Sequence, residues 1–536
     1  MNLFEAIFRQ SRASTAILYD GRPISYEELR SNTLEMAKVI SQLDTEPDDR
    51  IALLLNDSPE FVEAFIAICS LGRIAVPINM ALRLEEQRAI IHNCRARVAI
   101  AEVDACAALL NGAPETLHFP EQLVTVARKS NAISDEASDH FELTDAESRR
   151  PKTRVRTLRH LKEQTPSQTP PAFFIAGDDD IAFMLYTSGS TGEPKGAMHC
   201  QSDIYYTNRT FCREVLQLQQ SDRLFSSSRL PFAYGLGNSF SFPLLNGATS
   251  ILCREKPTAD VISRIFVEAR PTIFFAVPVV YKLLLDYHNE TKQLDCTSLR
   301  MCVSAGEALP AALGEQWEKT FGVPCLDGIG STEMLHMFMS NHRNTVRYGS
   351  SGTLLAGYRA KLLDENGSPT KVAGEGNLWI SGLSAARGYW ERPEETARTF
   401  VEGWVRTGDL YRCDEEGYWY HMGRSDDCFK SSGQWVSPVE VEGVLLRHKN
   451  VGRVAVVEDF DENGLPCPCA FVVSDQSGAD AALERELRDL ARAILPRFKQ
   501  PKKYMFVDEF PYTATGKVQR FKLRQQLRAK RAGADS

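Results

Sequence analysis

The sequence predicts an α/β protein whose strands form mostly parallel sheets. Strand and helix patterns alternate near the start, with an apolar strand at residues 50–55, a helix at 60–71 and a strand end at 75–78. Ser25 and Glu28 have the spacing of a capping box, which indicates that a helix begins there. Strands that alternate with helices form parallel sheets covered on both faces. With 536 residues, 43% of them hydrophobic, we expect several cores and more than one domain.

Composition and charge exclude several classes of protein. The net charge of −8 argues against general nucleic-acid binding, and residues 1–30 lack the pattern of a secretory signal. No apolar run reaches the roughly 18 residues that span a bilayer, so we expect a cytoplasmic protein with no membrane partner. The 13 cysteines are scattered, apart from Cys467 and Cys469, which predicts reduced core thiols and no structural zinc.

Two segments have an unusual composition. Residues 129–171 are rich in Ser, Thr, Arg, Asp and Pro and poor in large apolar side chains, so we expect a mobile surface insertion. Residues 485–531 contain 14 Lys and Arg against four Asp and Glu. This basic stretch is either a solvated helical face or a surface that meets a phosphorylated cofactor.

A stretch rich in glycine and hydroxyl side chains follows the apolar residues 181–185. Its sequence is YTSGSTGEPKG, at residues 186–196. Glycines let backbone N–H groups turn inward, hydroxyls add donors and the lysine adds positive charge, so this loop can wrap a polyphosphate. A flexible linker is the alternative, but a linker needs neither a buried strand before it nor a lysine. The GxxxxGK[ST] pattern of the common nucleotide hydrolases cannot be aligned here.

The same pattern predicts one further buried strand and two segments that follow the ends of strands. Residues 272–278 are typical of a buried strand, and residues 303–307 and 328–333 each follow an apolar segment. Open α/β sheets bind ligands beyond the ends of their strands. We therefore expect the last two segments to face a ligand.

Six motifs resemble, in order, those of the adenylate-forming superfamily of acyl- and aryl-CoA synthetases, luciferases and peptide synthetase adenylation domains. They lie at residues 186–196, 328–333, 374–382, 406–409, 423–442 and 511–517. Residues 231–248 and 328–341 resemble, more specifically, the benzoate-CoA ligase branch. The resemblance implies the adenylate-forming fold, with a large multi-sheet N-terminal domain at residues 1–425. It also implies a small, mobile α+β C-terminal domain at residues 426–536, with a hinge at Asp426.

The resemblance also implies a reaction in two halves. A carboxylate attacks the α-phosphate of ATP to give acyl-AMP and pyrophosphate, and the thiolate of CoA then displaces AMP. Each half needs charge neutralisation more than an acid–base pair. The implied catalytic residues are Lys517, which bridges the carboxylate and the α-phosphate, Thr332, which bonds the α-phosphate, and Glu333, which ligates Mg²⁺.

The same resemblance assigns the remaining nucleotide and CoA contacts. The implied ATP and AMP contacts are Thr187, Ser188, Gly189, Ser190, Thr191, Gly192, Lys195, Ser304, Ala305, Gly306, Glu307, Asp327, Gly328, Ile329, Asp409 and Arg424. Asp409 would bind both ribose hydroxyls. Ile329 stands where many relatives have an aromatic on adenine, a departure that the benzoate-ligase motif shares. Residues implied for the hinge and the CoA side are Asp426, Lys430, Ser432, Gly433 and Trp435.

The acyl pocket implied by this branch is small and partly aromatic. Its residues are Ala233, Tyr234, Gly235, Ser304, Ala305, Gly330 and His336. Small residues leave room for a flat ring, Tyr234 offers an aromatic wall and His336 offers a polar contact. In isolation, Tyr234 would be interpreted as a core aromatic and His336 as a satisfied helix histidine. No acidic residue stands near Tyr234 to bind an α-amino group, which argues against an amino acid as substrate.

Plainer interpretations exist for three of these residues. Glu333 could be a first-turn helix carboxylate, Lys517 one more cation of the basic tail, and Asp409 part of an ordinary turn. The favoured function is nevertheless an aryl-CoA ligase that uses ATP, Mg²⁺ and CoA on benzoate or a substituted benzoate such as anthranilate. The alternatives are a stand-alone adenylation enzyme that loads a carrier protein and a non-catalytic scaffold. The sequence leaves open whether the protein is a monomer or a homodimer.

Overall fold

A computed structural model describes residues 2–9, 13–111, 117–126, 153–164, 171–188, 194–370, 373–462, 464–474, 481–512 and 518–534. Its strands are β1 (Thr15–Tyr19), β2 (Arg22–Ser25), β3 (Arg50–Leu54), β4 (Ile74–Pro77), β5 (Val98–Glu102), β6 (Gln122–Val126), β7 (Arg154–Thr157), β8 (Ile181–Ser188), β9 (Pro194–Cys200), β10 (Arg223–Ser226), β11 (Thr249–Leu252), β12 (Ile273–Ala276), β13 (Met301–Ser304), β14 (Cys325–Gly330), β15 (Met337–Ser340), β16 (Thr353–Leu354), β17 (Arg359–Leu363), β18 (Glu375–Ser381), β19 (Phe400–Val401), β20 (Trp404–Cys413), β21 (Trp419–Arg424), β22 (Phe429–Ser431), β23 (Gln434–Val436), β24 (Val451–Phe460), β25 (Pro466–Ser474) and β26 (Lys503–Phe506).

The helices alternate with these strands. They are α1 (Leu3–Ile7), α2 (Tyr26–Gln42), α3 (Pro59–Ser70), α4 (Leu84–Cys94), α5 (Val103–Leu110), α6 (Leu158–Gln164), α7 (Gln201–Thr207), α8 (Ala233–Leu236), α9 (Phe242–Asn246), α10 (Ala259–Glu268), α11 (Pro278–Thr291), α12 (Ala311–Phe321), α13 (Pro393–Thr399), α14 (Pro438–Leu445), α15 (Ala481–Ile494) and α16 (Arg520–Ala534). The Ser25 hydroxyl accepts the Glu28 N–H at the start of α2, as the capping-box spacing predicts. In the part of the chain that the structure describes, no helix is long and apolar enough to cross a membrane.

Two large sheets form the N-terminal part. Within the described ranges, one has nine strands in the order β16-β15-β14-β13-β12-β10-β11-β1-β2, and the other has seven in the order β7-β6-β5-β3-β4-β8-β9. The central pairs of both are parallel, which confirms the predicted mostly parallel arrangement. All four residues of β12 are buried, as expected for a parallel strand covered on both faces.

Helix α3 lies between these two sheets. Nearly all of its residues are buried, and a helix that is apolar all round belongs inside a core. The Phe65 ring lies 5.5 Å from that of Phe183 on β8 and 5.0 Å from that of Phe240, between α8 and α9. Helix α3 shares one hydrophobic core with strands of both sheets.

The described part of the segment 129–171 contains strand β7 and helix α6, and the mobility expected of the insertion stays a prediction. Strand β7 pairs in parallel with β6 at the edge of the seven-stranded sheet, and α6 follows it directly. Leu158 and Leu161 of α6 are buried in the main core. The two leucines and the backbone pairing with β6 are enough to order this stretch. Residues 129–152 and 165–170 lie outside the described residues.

The remaining sheets follow in chain order. Strands β17 to β21 form an antiparallel five-stranded sheet, and β18 has alternating burial because one face of that sheet is covered. Strands β22 and β23 form a hairpin, and β24, β25 and β26 form a mixed sheet packed against α14, α15 and α16. Cys467 and Cys469 lie buried on β25, and all 13 cysteines are free thiols.

Candidate active site

The glycine-rich loop joins two antiparallel strands. Residues 182–185 of β8 are buried, which confirms the predicted strand before the loop. Thr187 pairs with Lys195, and Ser188, the last residue of β8, pairs with Pro194. Lys195 therefore lies on β9 and not in the loop itself. Gly189, Ser190, Thr191 and Gly192 lie outside the described residues.

Glu333 lies in a tight turn after β14, and its side chain is held from another part of the chain. Residues Thr332–Met334 form a 3₁₀ turn capped by the Ser331 hydroxyl. The Tyr389 hydroxyl donates to Glu333 Oε1 at 2.6 Å. Burial raises the pKa of Tyr389, so the phenol stays protonated and donates to the carboxylate. Glu333 is therefore more than a carboxylate in the first turn of a helix, because its side chain accepts a hydrogen bond from Tyr389.

Residues around Tyr389 also contact the strand that carries Lys195. The Trp390 N–H donates to the Gly196 carbonyl, and the Met198 N–H donates to the Gly388 carbonyl. The Lys195 ammonium lies 5.6 Å from the centre of the Tyr389 ring. The same tyrosine thus has Lys195 over its ring and Glu333 at its hydroxyl, which brings a cation and a carboxylate of the predicted site together.

The ends of β13 and β14 are adjacent, as the strand pattern predicts. Ser304 pairs with Asp327, and both side chains are buried. Burial raises the pKa of Asp327 well above its usual value. Beyond β13, Gly306 has a φ of +90°, a left-handed conformation that glycine adopts without strain. The chain turns there, between the buried Ala305 and the exposed Glu307.

Three aromatic side chains contact the buried imidazole of His336, and a fourth packs against one of these three. The ring centre of His336 lies 4.6 Å from Phe242, 4.9 Å from Phe211 and 5.6 Å from Tyr234, while Tyr234 also packs against Phe275. Burial lowers the pKa of His336 to about 3, so the ring is neutral at physiological pH. His336 is not a helix histidine, because the 3₁₀ turn ends at Leu335 and β15 begins at Met337.

Polar contacts within this aromatic group are few. Asn238 Oδ1 lies 3.2 Å from His336 Nε2, and the Tyr234 hydroxyl donates to the Val303 carbonyl. Ile329 packs at the edge of the same core as Tyr234. The arrangement offers a largely apolar wall with one imidazole, which suits a flat ring.

Two glycines of the predicted pocket are needed for backbone packing. A Cβ on Gly235 would lie 2.0 Å from the Arg229 carbonyl oxygen, and one on Gly330 would lie 2.5 Å from that of His336. Gly328 is equally close to the carbonyl of Met339. The absence of a side chain at these glycines therefore lets chain segments approach closely. For Gly235 and Gly330, the sequence suggested instead that the small residue leaves room for a substrate ring.

Asp409 and Arg424 face each other across β20 and β21. They pair in register, and Arg424 Nη1 lies 3.2 Å from Asp409 Oδ1 and 2.9 Å from the Thr407 carbonyl oxygen. His421 Nε2 lies 3.5 Å from the same carboxylate. Asp409 is therefore part of a charged strand pair and not of an isolated turn.

The residues predicted for the CoA side form a hairpin just after Asp426. Ser432 and Gly433 make its turn with positive φ values of 52° and 77°. Lys430 pairs with Trp435 across the hairpin, and its ammonium lies 2.7 Å from Glu365 Oε1. In this structure the hairpin rests on the loop after β17.

Lys517 lies outside the described residues, but both ends of its loop are placed. Tyr512 and Val518 pair as an isolated bridge, which closes the loop. Arg520 donates to both carboxylate oxygens of Glu442, and the charge of Glu307 also acts on it. The segment that follows Lys517 therefore lies near the loop after β13.

Comparison with known proteins identifies the family. The model of the AMP-binding enzyme matches residues 4–390, and that of the AMP-binding enzyme C-terminal domain matches residues 440–517. The protein belongs to the AMP-binding enzyme family. A benzoate–CoA ligase of Thauera aromatica is 37% identical over 516 residues, covering 95% of this chain and 92% of the relative.

Solved structures agree with this assignment. An anthranilate CoA ligase in complex with anthranoyl-AMP superimposes with a TM-score of 0.88 at 33% identity, covering 99% of this chain and 98% of that one. A benzoate CoA ligase from Burkholderia xenovorans gives 0.83 at 35% identity, covering 98% of this chain and all of that one. The adenylate-forming fold and the family resemblance predicted from the motifs are confirmed.

Several polar residues of this AMP-binding enzyme were missed by the sequence interpretation. Tyr389 holds Glu333, His199 bonds the Thr332 backbone, and Asn238 contacts His336. Each acts across a large sequence separation and lies outside the positions that the motifs assign. The run Arg387-Gly388-Tyr389-Trp390, just beyond the 374–382 motif, was the only local signal for Tyr389.

Proposed function

We propose that this protein is an aryl-CoA ligase that activates benzoate, or a substituted benzoate such as anthranilate, with ATP and transfers the aryl group to CoA. The observation that carries the proposal is the group of aromatic rings around the neutral imidazole of His336. Aromatic side chains pack well against a flat ring, and a neutral imidazole can make one hydrogen bond to it. The similarity to benzoate and anthranilate ligases supports the same substrate class.

In the first half-reaction, the substrate carboxylate attacks the α-phosphate and pyrophosphate leaves. Residues 187–195 would hold the departing phosphates, and Thr332 would bond the α-phosphate. Asp409 would accept from the ribose hydroxyls, with Arg424 nearby to orient it. Lys517 would bridge the carboxylate and the α-phosphate as charge develops in the transition state.

Glu333 is the proposed Mg²⁺ ligand, and its surroundings fit that task. Tyr389 fixes one carboxylate oxygen, and carboxylate oxygens are the hard donors that Mg²⁺ prefers. Among the described residues no group of three His, Cys, Asp or Glu could form a metal cage, as expected when substrate phosphates complete the coordination. When bound, Mg²⁺ would neutralise charge on the phosphate oxygens.

In the second half-reaction, the thiolate of CoA attacks the carbonyl carbon and AMP leaves. We propose that residues 1–425 and 426–536 are two domains that rotate about Asp426. Rotation would withdraw Lys517 and bring the hairpin of Lys430, Ser432, Gly433 and Trp435 to the site. The ion pair of Lys430 with Glu365 would have to break first.

A panel of acids tests the proposed substrate class. Pyrophosphate release should be faster with benzoate, hydroxybenzoates and anthranilate than with fatty acids, and multiple turnovers should require CoA. Turnover that depends on an added carrier protein, and not on CoA, would instead support the carrier-loading alternative. A preference for long-chain fatty acids would contradict the aryl assignment.

The residue Ala233 provides a test of the pocket size. Its methyl group is 9% exposed at the start of α8, next to Tyr234. Ala233→Leu should lower kcat/KM for ring-substituted benzoates by about 5- to 150-fold, because overpacking costs about 1–3 kcal/mol. Steady-state kinetics should show a smaller loss with propionate and a nearly unchanged KM for ATP.

The matched control is Ala108→Leu, because Ala108 is exposed on α5. This variant should keep the parent kinetics. A uniform loss of activity with every acid in Ala233→Leu would mean that Ala233 does not border the acyl group.

A further inference from the structure

His199 is a buried histidine that bonds directly to the backbone of the Thr332–Glu333 turn. It lies on β9, four residues after Lys195, and its side chain is fully buried. Its Nε2 lies 2.8 Å from the Thr332 carbonyl oxygen, and its Nδ1 lies 2.8 Å from Asp203 Oδ2. Phe183 stacks on the imidazole with ring centres 5.3 Å apart and planes 17° apart. The ring is therefore fixed in position and in orientation.

The partners of His199 show which ring nitrogen must carry a hydrogen. A backbone carbonyl can only accept, so Nε2 must carry a hydrogen. The Cys200 N–H also donates to Asp203 Oδ2, and Arg387 Nη1 lies 3.6 Å from Oδ1. These contacts hold the Asp203 side chain against Nδ1. The imidazole therefore donates from Nε2 to the Thr332 carbonyl, while Asp203 fixes its other nitrogen.

The turn that His199 contacts is held from outside at three successive carbonyl groups. The Thr332 carbonyl accepts from His199, that of Glu333 accepts from the Ala386 N–H, and that of Met334 accepts from the Ser384 hydroxyl. The turn then ends in Leu335, whose φ of +64° is unusual for a leucine. A backbone with this conformation persists only when its surroundings fix it. His199 supplies the one ring N–H donor of the three.

These contacts connect two parts of the site. Strand β9 carries Lys195 near its start and His199 near its end, and the turn carries Thr332 and Glu333. The bond from His199 sets the distance between the strand and the turn. A shift of this turn would move both the Thr332 hydroxyl and the Glu333 carboxylate, and small misplacements of reacting groups are costly in rate.

We propose that His199, held by Asp203, is a positioning residue that fixes Thr332 and Glu333 relative to the phosphate-binding strand for aryl-AMP formation. This inference rests on the proposed function, because it concerns the first half-reaction of the ligase. Thioester formation from aryl-AMP and CoA involves neither the departing phosphates nor the Mg²⁺ that Glu333 would hold. Only the proposed contact of Thr332 with the α-phosphate remains, so that half should depend less on His199.

The test compares the two half-reactions in three variants. His199→Phe keeps the aromatic ring over Phe183 but removes both nitrogens, His199→Gln keeps an amide donor, and Asp203→Asn keeps the shape without the charge. His288→Phe is the matched control, since His288, on α11, packs against Phe321, on α12. Aryl-AMP formation is measured by benzoate-dependent pyrophosphate exchange, and the second half by conversion of supplied benzoyl-AMP and CoA.

We expect His199→Phe to lower kcat of exchange by roughly 10- to 100-fold, because the variant removes the buried side-chain donor of the Thr332 carbonyl, with KM for benzoate nearly unchanged. Thioester formation should stay within about threefold of the parent, and His199→Gln should recover much of the loss. The kcat of exchange of Asp203→Asn should lie between that of the parent and that of His199→Phe. The control should match the parent in both assays.

Equal losses in both half-reactions, or no loss in exchange, would overturn the proposal. If His199→Phe fails to fold, the Gln and Asn variants decide the question by the same comparison. An inactive parent enzyme in the exchange assay with every benzoate would instead contradict the proposed function, so the two failures are distinguishable.

Discussion

Replacing Lys517 with alanine is expected to slow aryl-AMP formation by about 100- to 1,000-fold, the size of effect seen when one preorganised charge-stabilising donor is removed. The ammonium would neutralise charge shared by the carboxylate and the α-phosphate, and alanine offers no substitute. Thioester formation from supplied benzoyl-AMP and CoA should continue near the parent rate, because the proposed rotation would withdraw this loop before the second half. Pyrophosphate exchange and a coupled thioester assay measure the two halves separately.

The placement of the flanking residues supports this expectation. The pairing of Tyr512 with Val518 closes the loop of Lys517. The carboxylate of Glu307, beyond β13, interacts electrostatically with the guanidinium of Arg520. Lys522→Ala is the matched control, because Lys522 is an exposed lysine of the same basic segment. Equal losses in both half-reactions of Lys517→Ala would show that the proposed role is wrong. An unchanged exchange rate would place Lys517 among the ordinary cations of the tail.

The second large effect is expected for Glu333→Gln. Glutamine keeps the shape and can still accept from Tyr389, but it lacks the negative charge that a Mg²⁺ ligand needs. Aryl-AMP formation should fall by about 100-fold or more, since metal neutralisation of phosphate charge is worth several kcal/mol. The concentration of Mg²⁺ needed for half-maximal exchange should rise, and conversion of supplied benzoyl-AMP should change little.

Two further variants make the Glu333 test specific. Tyr389→Phe keeps the carboxylate but removes its donor, so a smaller loss of about 10-fold is expected, in line with a charge-assisted hydrogen bond. Glu394→Gln changes an exposed glutamate of α13 and should match the parent. An unchanged Mg²⁺ requirement in Glu333→Gln would mean that another group binds the metal.

The sequence predicted the sheets well because their strands are fully buried. The apolar runs of β3, β4, β8 and β12 leave little choice of structure, and the capping box of Ser25 marks the start of α2. Composition did not predict β7 and α6, where Leu158 and Leu161 enter the core. The order there comes from pairing with β6, which composition does not reveal.

The site was predicted as a set of loops, and the structure adds what holds the loops together. The strand pattern placed Thr332 and Glu333 just beyond the end of a strand, where the structure has them, whereas Asp409 lies within β20 and Arg424 ends β21. The partners that fix them, such as Tyr389 and His199, act across 56 and 133 residues. The branch motif assigned His336 to the acyl pocket, and that role stays a prediction. The plainer interpretation of His336 as a helix histidine does not hold, because this residue lies between the turn that Leu335 ends with a positive φ and strand β15.

The most direct test of the account follows the oxygen atoms of the acid. Benzoate labelled with heavy oxygen in its carboxylate is incubated with the enzyme, ATP, Mg²⁺ and CoA, and both products are analysed by mass spectrometry. If the carboxylate attacks the α-phosphate and CoA then displaces AMP, one labelled oxygen must appear in AMP and the other must remain in benzoyl-CoA. Unlabelled AMP, or label in phosphate with ADP as the nucleotide product, would contradict the formation of an aryl-adenylate.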